Sequence, residues 1–229
     1  MSEAWMAGLG DPSPWTLPQP LPPPLAFDGI VVRRHQKGDG PLVFEAVDDQ
    51  REKLLPWMLW VTTDHLSVDD SIHYVEKKRR DSEKPDCLDF PLGIFDAHSG
   101  RMLGGTGYHR IRPQYREAEI GYWIRGSEQG RGICTKVVAA LLGWGFRSQA
   151  EQGWGFRRIV IFTAADNVGS RRVCEKLGMR LELHVKRERY HGPIGYYDSV
   201  GFGVLADEWD FAQNRAKPGI GWNDGALGG

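Results

Sequence analysis

Cysteine is scarce in this sequence. It occurs only as Cys87, Cys134 and Cys174 in 229 residues. An odd, sparse set without a CxxC pair excludes a disulfide framework and fits a reducing compartment, so the cytoplasm is the expected location and no metal is expected. An excess of one charge is also missing. The formal net charge of −1 argues against bulk nucleic-acid binding, which usually needs a basic surplus. The basic run Lys77–Arg80 reads as a solvated helix end. Long hydrophobic runs are absent as well: no stretch approaches the ~20 apolar residues of a membrane span. The start, Ser2-Glu3-Ala4, lacks the basic and apolar regions of a signal peptide, and none is expected. What remains is a soluble chain, 41% hydrophobic and 26% charged, long enough for one full core and short for two.

Proline and glycine, by contrast, are plentiful and concentrated at the ends. Pro12, Pro14, Pro18, Pro20 and Pro22–Pro24 make residues 1–26 a Pro-rich arm, expected to be extended and to lie loosely over the domain. Residues 212–229 form a Gly-rich tail, expected to be mobile. The folded unit is therefore placed at 27–211. Within it, 29–34 reads as a strand, 42–60 as mostly helical and broken at Pro56, and 69–80 as a helix capped by Asp69 or Asp70. Segments 89–96, 101–111 and 116–124 read as three strands with short links, an antiparallel meander. Residues 132–148 are apolar nearly all round and predict a buried helix. A short apolar strand (157–163) follows, then a helix between Asn167 and Gly178, then strands at 179–185 and 197–205. The fold class is mixed α/β, with a largely antiparallel central sheet flanked by helices.

The stretch Gln129-Gly130-Arg131-Gly132-Ile133-Cys134-Thr135 opens the buried helix. Small residues at a helix start let an anion approach N–H groups that have no internal acceptor, and the helix dipole favours negative charge there. The P-loop pattern fails because Thr135 precedes Lys136, and the dinucleotide fingerprint fails because the preceding strands are antiparallel. A helix entry that merely needs glycine for packing is the plain alternative.

In its surroundings the motif gains weight. "EIGYWIRGSEQGRGICTKVVAALLGWGF", an apolar strand and "NVGSRRVCEKLGM" together resemble the GNAT N-acetyltransferase superfamily, whose pyrophosphate-binding pattern Q/R-x-x-G-x-G/A is matched at 129–134 with Cys134 in the last place. With "REKLLPWMLW" the chain is most similar to the Rim-type branch, whose type members acetylate ribosomal protein N-termini. The resemblance implies acetyl-coenzyme A as donor, with its pyrophosphate on residues 129–135, its pantetheine arm beside Tyr122, Trp123 and Ile124, and a hydrogen bond from Asn167. It also implies a primary-amine acceptor, on a protein N-terminus or a small molecule, and a monomer or homodimer.

Acetyl transfer needs a neutral amine and a protonated or stabilised leaving thiolate. Glu119 is the first candidate base and His109 the second, since its intrinsic pKa already suits the task. Ser170, at the Ser of N-x-x-S, is the thiolate partner that the resemblance implies. The resemblance also implies that Trp57, Trp60 and Tyr108 lie on the acceptor side. Each has a plain alternative: an exposed strand glutamate, a structural histidine, a first-turn serine, ordinary core aromatics, and for Asn167 a simple helix cap. The rival for the whole chain is a non-catalytic acyl-coenzyme A sensor, which would need neither Glu119 nor Ser170.

Overall fold

The computed structural model describes residues 13–192 and 195–218. Eight strands form one sheet in the order β1-β2-β3-β4-β5-β6-β8-β7. They are β1 (Leu25–Phe27), β2 (Ile30–Arg34), β3 (Phe90–Asp96), β4 (Met102–Arg112), β5 (Glu117–Ile124), β6 (Arg158–Ala164), β7 (Arg180–His191) and β8 (Gly195–Leu205). Every neighbouring pair is antiparallel except β5–β6. That pair is parallel and ends after three partners, Glu117↔Arg158, Ala118↔Ile159 and Glu119↔Val160. Beyond Glu119 the two strands run on unpaired to one another, so the sheet splays open at its centre.

Alternate residues of a strand face opposite sides, and the sheet here separates two cores. Ile94, Leu103, Tyr108, Ile120 and Ile159 face α4 (Ile133–Phe146) and α5 (Val168–Lys176). Phe95 and Met102 face α1 (Gly40–Asp48) and α3 (Val68–Asp81), joined through the short α2 (Arg51–Leu54). The all-round apolarity of α4 is explained by its depth: Val137, Val138, Leu141 and Leu142 are fully buried. Gly145 lets this helix approach β6, since a Cβ there would stand 2.5 Å from Ile159.

Four boundaries differ from the sequence expectation. The Pro-rich segment is not loose from residue 13 onward. Trp15 is buried, stacks on Phe156 at 5.4 Å and donates from Nε1 to the Trp154 carbonyl at 2.6 Å. Residues 25–27 then add strand β1, so the unit begins well before 27; residues 1–12 lie outside the described residues. At the other end, β10 (Arg215–Ala216) pairs with β9 (Trp209–Asp210) and Ala216 is buried, so part of the expected tail belongs to the fold; 219–229 lie outside the described residues. The cap of α3 is Ser67, in a reciprocal box with Asp70, rather than Asp69 or Asp70. Strands β7 and β8 are also longer than their alternation predicts.

Candidate active site

The glycine loop leads from a single 3-10 turn (Gly126–Glu128) into α4. Gly130 and Gly132 both sit at φ +76°, a left-handed conformation that other residues adopt at a cost. A Cβ added to either would meet nothing within 4 Å. The glycines therefore leave open space over the helix start instead of serving tight packing. Gly132 is the N-cap and offers no side-chain cap, so the first N–H groups of α4, at Ile133, Cys134 and Thr135, find no partner within the helix. Such a helix start could hold an anion, and the residues present fit a pyrophosphate. Gln129 ties the loop to β5, donating to the Ile124 carbonyl at 3.3 Å. Arg131 is paired with the buried Glu128, which also accepts from Arg101 at 3.2 Å. Burial pushes the Cys134 thiol up to about 12, so it stays a small neutral residue and no nucleophile.

The splay between β5 and β6 lies next to this cradle. One contact spans it from β5 to α5: the Tyr122 hydroxyl is 2.9 Å from Ser170 Oγ and 3.9 Å from Cys174 Sγ. Burial pushes the Tyr122 phenol well above its ordinary value, leaving a neutral donor. Asn167 accepts from the Ser170 backbone N–H at 3.1 Å, so it is at least a helix cap. The sequence placed a hydroxyl at Ser170 but missed Tyr122 as its partner. Strand alternation could not reveal it, because the partner sits 48 residues away on a helix.

On the other side of β5 a cavity of about 290 Å³ is lined by Trp60, Tyr74, Asp89, His109, Gly121 and Trp123, among others. His109 and Glu119 are register partners on β4 and β5, yet their settings differ. His109 lines the cavity and is 2.6 Å from Asp89 through Nδ1. Glu119 does not line it, and its carboxylate is held by Arg110 at 2.8 Å. Trp60 lines the cavity, with its ring 6.2 Å from that of Trp123. The acceptor-side placement of the other two aromatics is corrected. Trp57 is 42% exposed and outside the lining. Tyr108 is fully buried under α4 and donates to the Leu141 carbonyl at 2.6 Å. Its strand position, one residue before His109, puts it on the opposite face of the sheet. The sequence also missed Asp89, His35, His65 and Tyr74, which converge from separate segments. No cluster of His, Cys, Asp or Glu among the described residues could hold a metal ion, and none of their helices is long and apolar enough to cross a membrane.

An open helix start, an opened strand edge beside it and an aromatic-lined cavity across that strand are the features that a group-transfer site for a phosphate-bearing donor would use. Residues 30–180 match the family description "Acetyltransferase (GNAT) domain". The chain is 30% identical over 181 residues to Bacillus subtilis YdaF, provisionally named a ribosomal N-acetyltransferase, covering 79% of this chain and 93% of that one. It is 35% identical over 99 residues to the ribosomal-protein-serine acetyltransferase of Escherichia coli, covering 43% and 51%. Among solved structures, the ribosomal-protein-S5-alanine acetyltransferase of Vibrio fischeri superposes with a TM-score of 0.71 at 20% identity, over 82% of this chain and 99% of that one. A RimL L7/L12 α-N-protein acetyltransferase in complex with coenzyme A superposes at 0.69 with 23% identity, over 79% and 96%. The chain belongs to the GNAT acetyltransferase family. It is an acetyl-coenzyme A-dependent N-acetyltransferase of Rim type.

Proposed function

We propose that the enzyme acetylates the α-amine of a protein N-terminus, with His109 taking the amine's proton and the Tyr122–Ser170 pair serving the departing sulfur. The observation that carries this reading is the position of His109, in the cavity wall beside Gly121, where the cavity meets the splayed part of β5. Acetyl-coenzyme A, held by 129–135 and the open edge of β5, supplies a thioester that acylates an amine in a ternary complex. The chain's own groups do the rest. The α4 N-terminus and the glycine loop bind the donor's pyrophosphate. The cavity orients the acceptor and excludes water with Trp60 and Trp123. The neutral Tyr122 hydroxyl, steadied by Ser170, donates to the sulfur as it leaves.

An α-amine titrates near pH 8 and is partly neutral at physiological pH, whereas about one lysine amine in a thousand is. A histidine base is matched to that modest demand. The ribosomal names of the two curated relatives favour a protein acceptor over a small one. A screen of N-terminal hexapeptides beside small amines tests the acceptor. For the base, His109→Gln should lower kcat/KM by about 10²–10⁴-fold, while Glu119→Gln should stay within a few-fold of wild type. The opposite ranking would return the role to Glu119.

A further inference from the structure

We propose that Asp89 and Lys78 are a positioning pair for His109: they fix its tautomer so that Nε2 is the free, proton-accepting nitrogen, and they face the imidazolium formed there with opposite charges. This rests on the reading of His109 as the base. Asp89 Oδ1 lies 2.6 Å from His109 Nδ1, and Asp89 Oδ2 lies 2.5 Å from Lys78 Nζ. An ionised carboxylate can only accept, so the proton of a neutral His109 ring is on Nδ1 and the lone pair is on Nε2. Burial opposes ionisation of Asp89, but the hydrogen bonds from His109 and Lys78 outweigh it and hold the carboxyl at about 2.

The ring is seated as this role requires. A Cβ at Gly107 would stand 3.0 Å from His109 Cε1, and one at Gly121 would stand 3.2 Å from Cδ2 and 3.4 Å from Nε2. The imidazole thus lies across two glycines of β4 and β5, with Nε2 toward Gly121. That glycine comes just after the last β5–β6 partner and just before Tyr122, at the junction of the cavity and the splay. The three side chains come from three segments: Lys78 from α3, Asp89 from the approach to β3, His109 from β4.

Other titratable groups near this chain of contacts are accounted for. Glu119 faces His109 in register but is held by Arg110. Tyr74 on α3 has its phenol raised above its ordinary value, chiefly by burial, and Cys87, whose Sγ is 3.3 Å from the Asp89 carbonyl, is likewise raised by burial; both stay neutral. His35, His65 and Asp64 line the same cavity; burial shifts both histidines toward the neutral form, and the Asp64 carboxylate accepts from Thr63 Oγ1 at 2.9 Å. Asp89 and Lys78 are thus the charges that bear most directly on His109. The carboxylate stabilises the imidazolium that forms when Nε2 takes a proton. Lys78 weakens that stabilisation and keeps Asp89 ionised.

The test is an NMR titration of the His109 ring in the full-length protein, with no acceptor needed, paired with kcat-against-pH profiles on a serine-initiated hexapeptide. In Asp89→Asn the His109 titration should move to lower pH and the ring should lose its Nδ1–H preference. In Lys78→Met the titration should move to higher pH. Asp89→Asn should lower kcat on the order of 10³-fold with KM for the peptide nearly unchanged, because the wrong tautomer presents a proton where a lone pair is needed. The acid limb of kcat should move with the titration in Lys78→Met. A His109 titration unmoved in both variants overturns the proposal, and so does wild-type turnover in Asp89→Asn. Should Asp89→Asn fail to fold, Lys78→Met on its solvent-facing helix decides by the same two readouts. Full activity in His109→Gln would instead sink the assignment of the base, a result distinct from either.

Discussion

Gly132 offers a way to separate backbone strain from ligand exclusion. Its φ of +76° costs a residue with a Cβ about 1–2 kcal/mol, and no neighbour within 4 Å adds a packing term. Gly132→Ala should therefore lower Tm by about 2–4 °C per kcal/mol, a small and calculable loss. Gly100→Ala is the matched control, since Gly100 has φ +71° and the same open surroundings, but sits in the β3–β4 turn. Acetyl-coenzyme A at 100 times Kd should stabilise the wild type by about 2.7 kcal/mol. Gly132→Glu places a carboxylate where the proposed site would hold the pyrophosphate. Two like charges ~4 Å apart repel by about 4 kcal/mol at an effective dielectric near 20, which exceeds that gain. Differential scanning fluorimetry with and without the donor reads both quantities. The control should keep the ligand-induced shift, Gly132→Ala should reduce it, and Gly132→Glu should abolish it. A folded Gly132→Glu variant that still shows the wild-type shift would remove the loop from the donor site.

Two further outcomes follow from the buried polar groups. Tyr122→Phe should lower turnover by about 10²-fold while the donor-induced thermal shift persists, and Ser170→Ala should cost less, because the tyrosine hydroxyl remains; equal activity of Tyr122→Phe and wild type in a chemistry-limited assay would leave the leaving group to solvent. His35 is neutral in the fold, burial having lowered it to about 4, but protonates near 6.5 once unfolded. Between those values the unfolded state binds the extra proton, so stability falls with falling pH, by about 2 kcal/mol at pH 5 and about 3 at pH 4. His35→Gln should flatten that limb in urea melts at pH 5 and 7.5, and an unchanged acid loss would refute the assignment.

The parts of this fold that were legible are those whose cause is local. The three strands 89–124 carry their own alternation and turns, α4 its continuous apolar surface, and α5 its Asn167 cap. Ser67 with Asp70 was also written in the sequence as a capping box, and the acidic pair beside it obscured it. Trp15 was not legible, because its partners Trp154 and Phe156 are far along the chain and a Pro-rich composition says only that the backbone is extended. β10 escaped for a similar reason: two residues gain a strand only by meeting β9. At the site, the glycine motif announces itself because helix-terminus physics is local. Asp89 and the pairing of Tyr122 with Ser170 do not, since each depends on a partner distant in sequence.

The splay itself has a physical cause that joins fold to function. At its closed end, Glu117 is buried and accepts from Arg112 and from Arg158 at 2.7 Å. Arg158 also grips Glu182; Arg180 meets Glu182 at 2.8 Å and Glu208 at 2.6 Å. Alternating charges thus run across β4, β5, β6 and β7 at the level where β5 and β6 pair. Charge-assisted bonds of this kind are the stronger class, and here they are partly shielded from water. At the open end the Tyr122 hydroxyl reaches α5 through neutral groups alone: Ser170 Oγ at 2.9 Å, the Ser170 carbonyl at 3.2 Å and Cys174 Sγ at 3.9 Å. A neutral hydrogen bond contributes roughly 1 kcal/mol net, less than a charge-assisted one, so this end of the gap is held more weakly than the other. The strong clamp fixes where the strands part, and the neutral contacts leave the open end the easier one to widen.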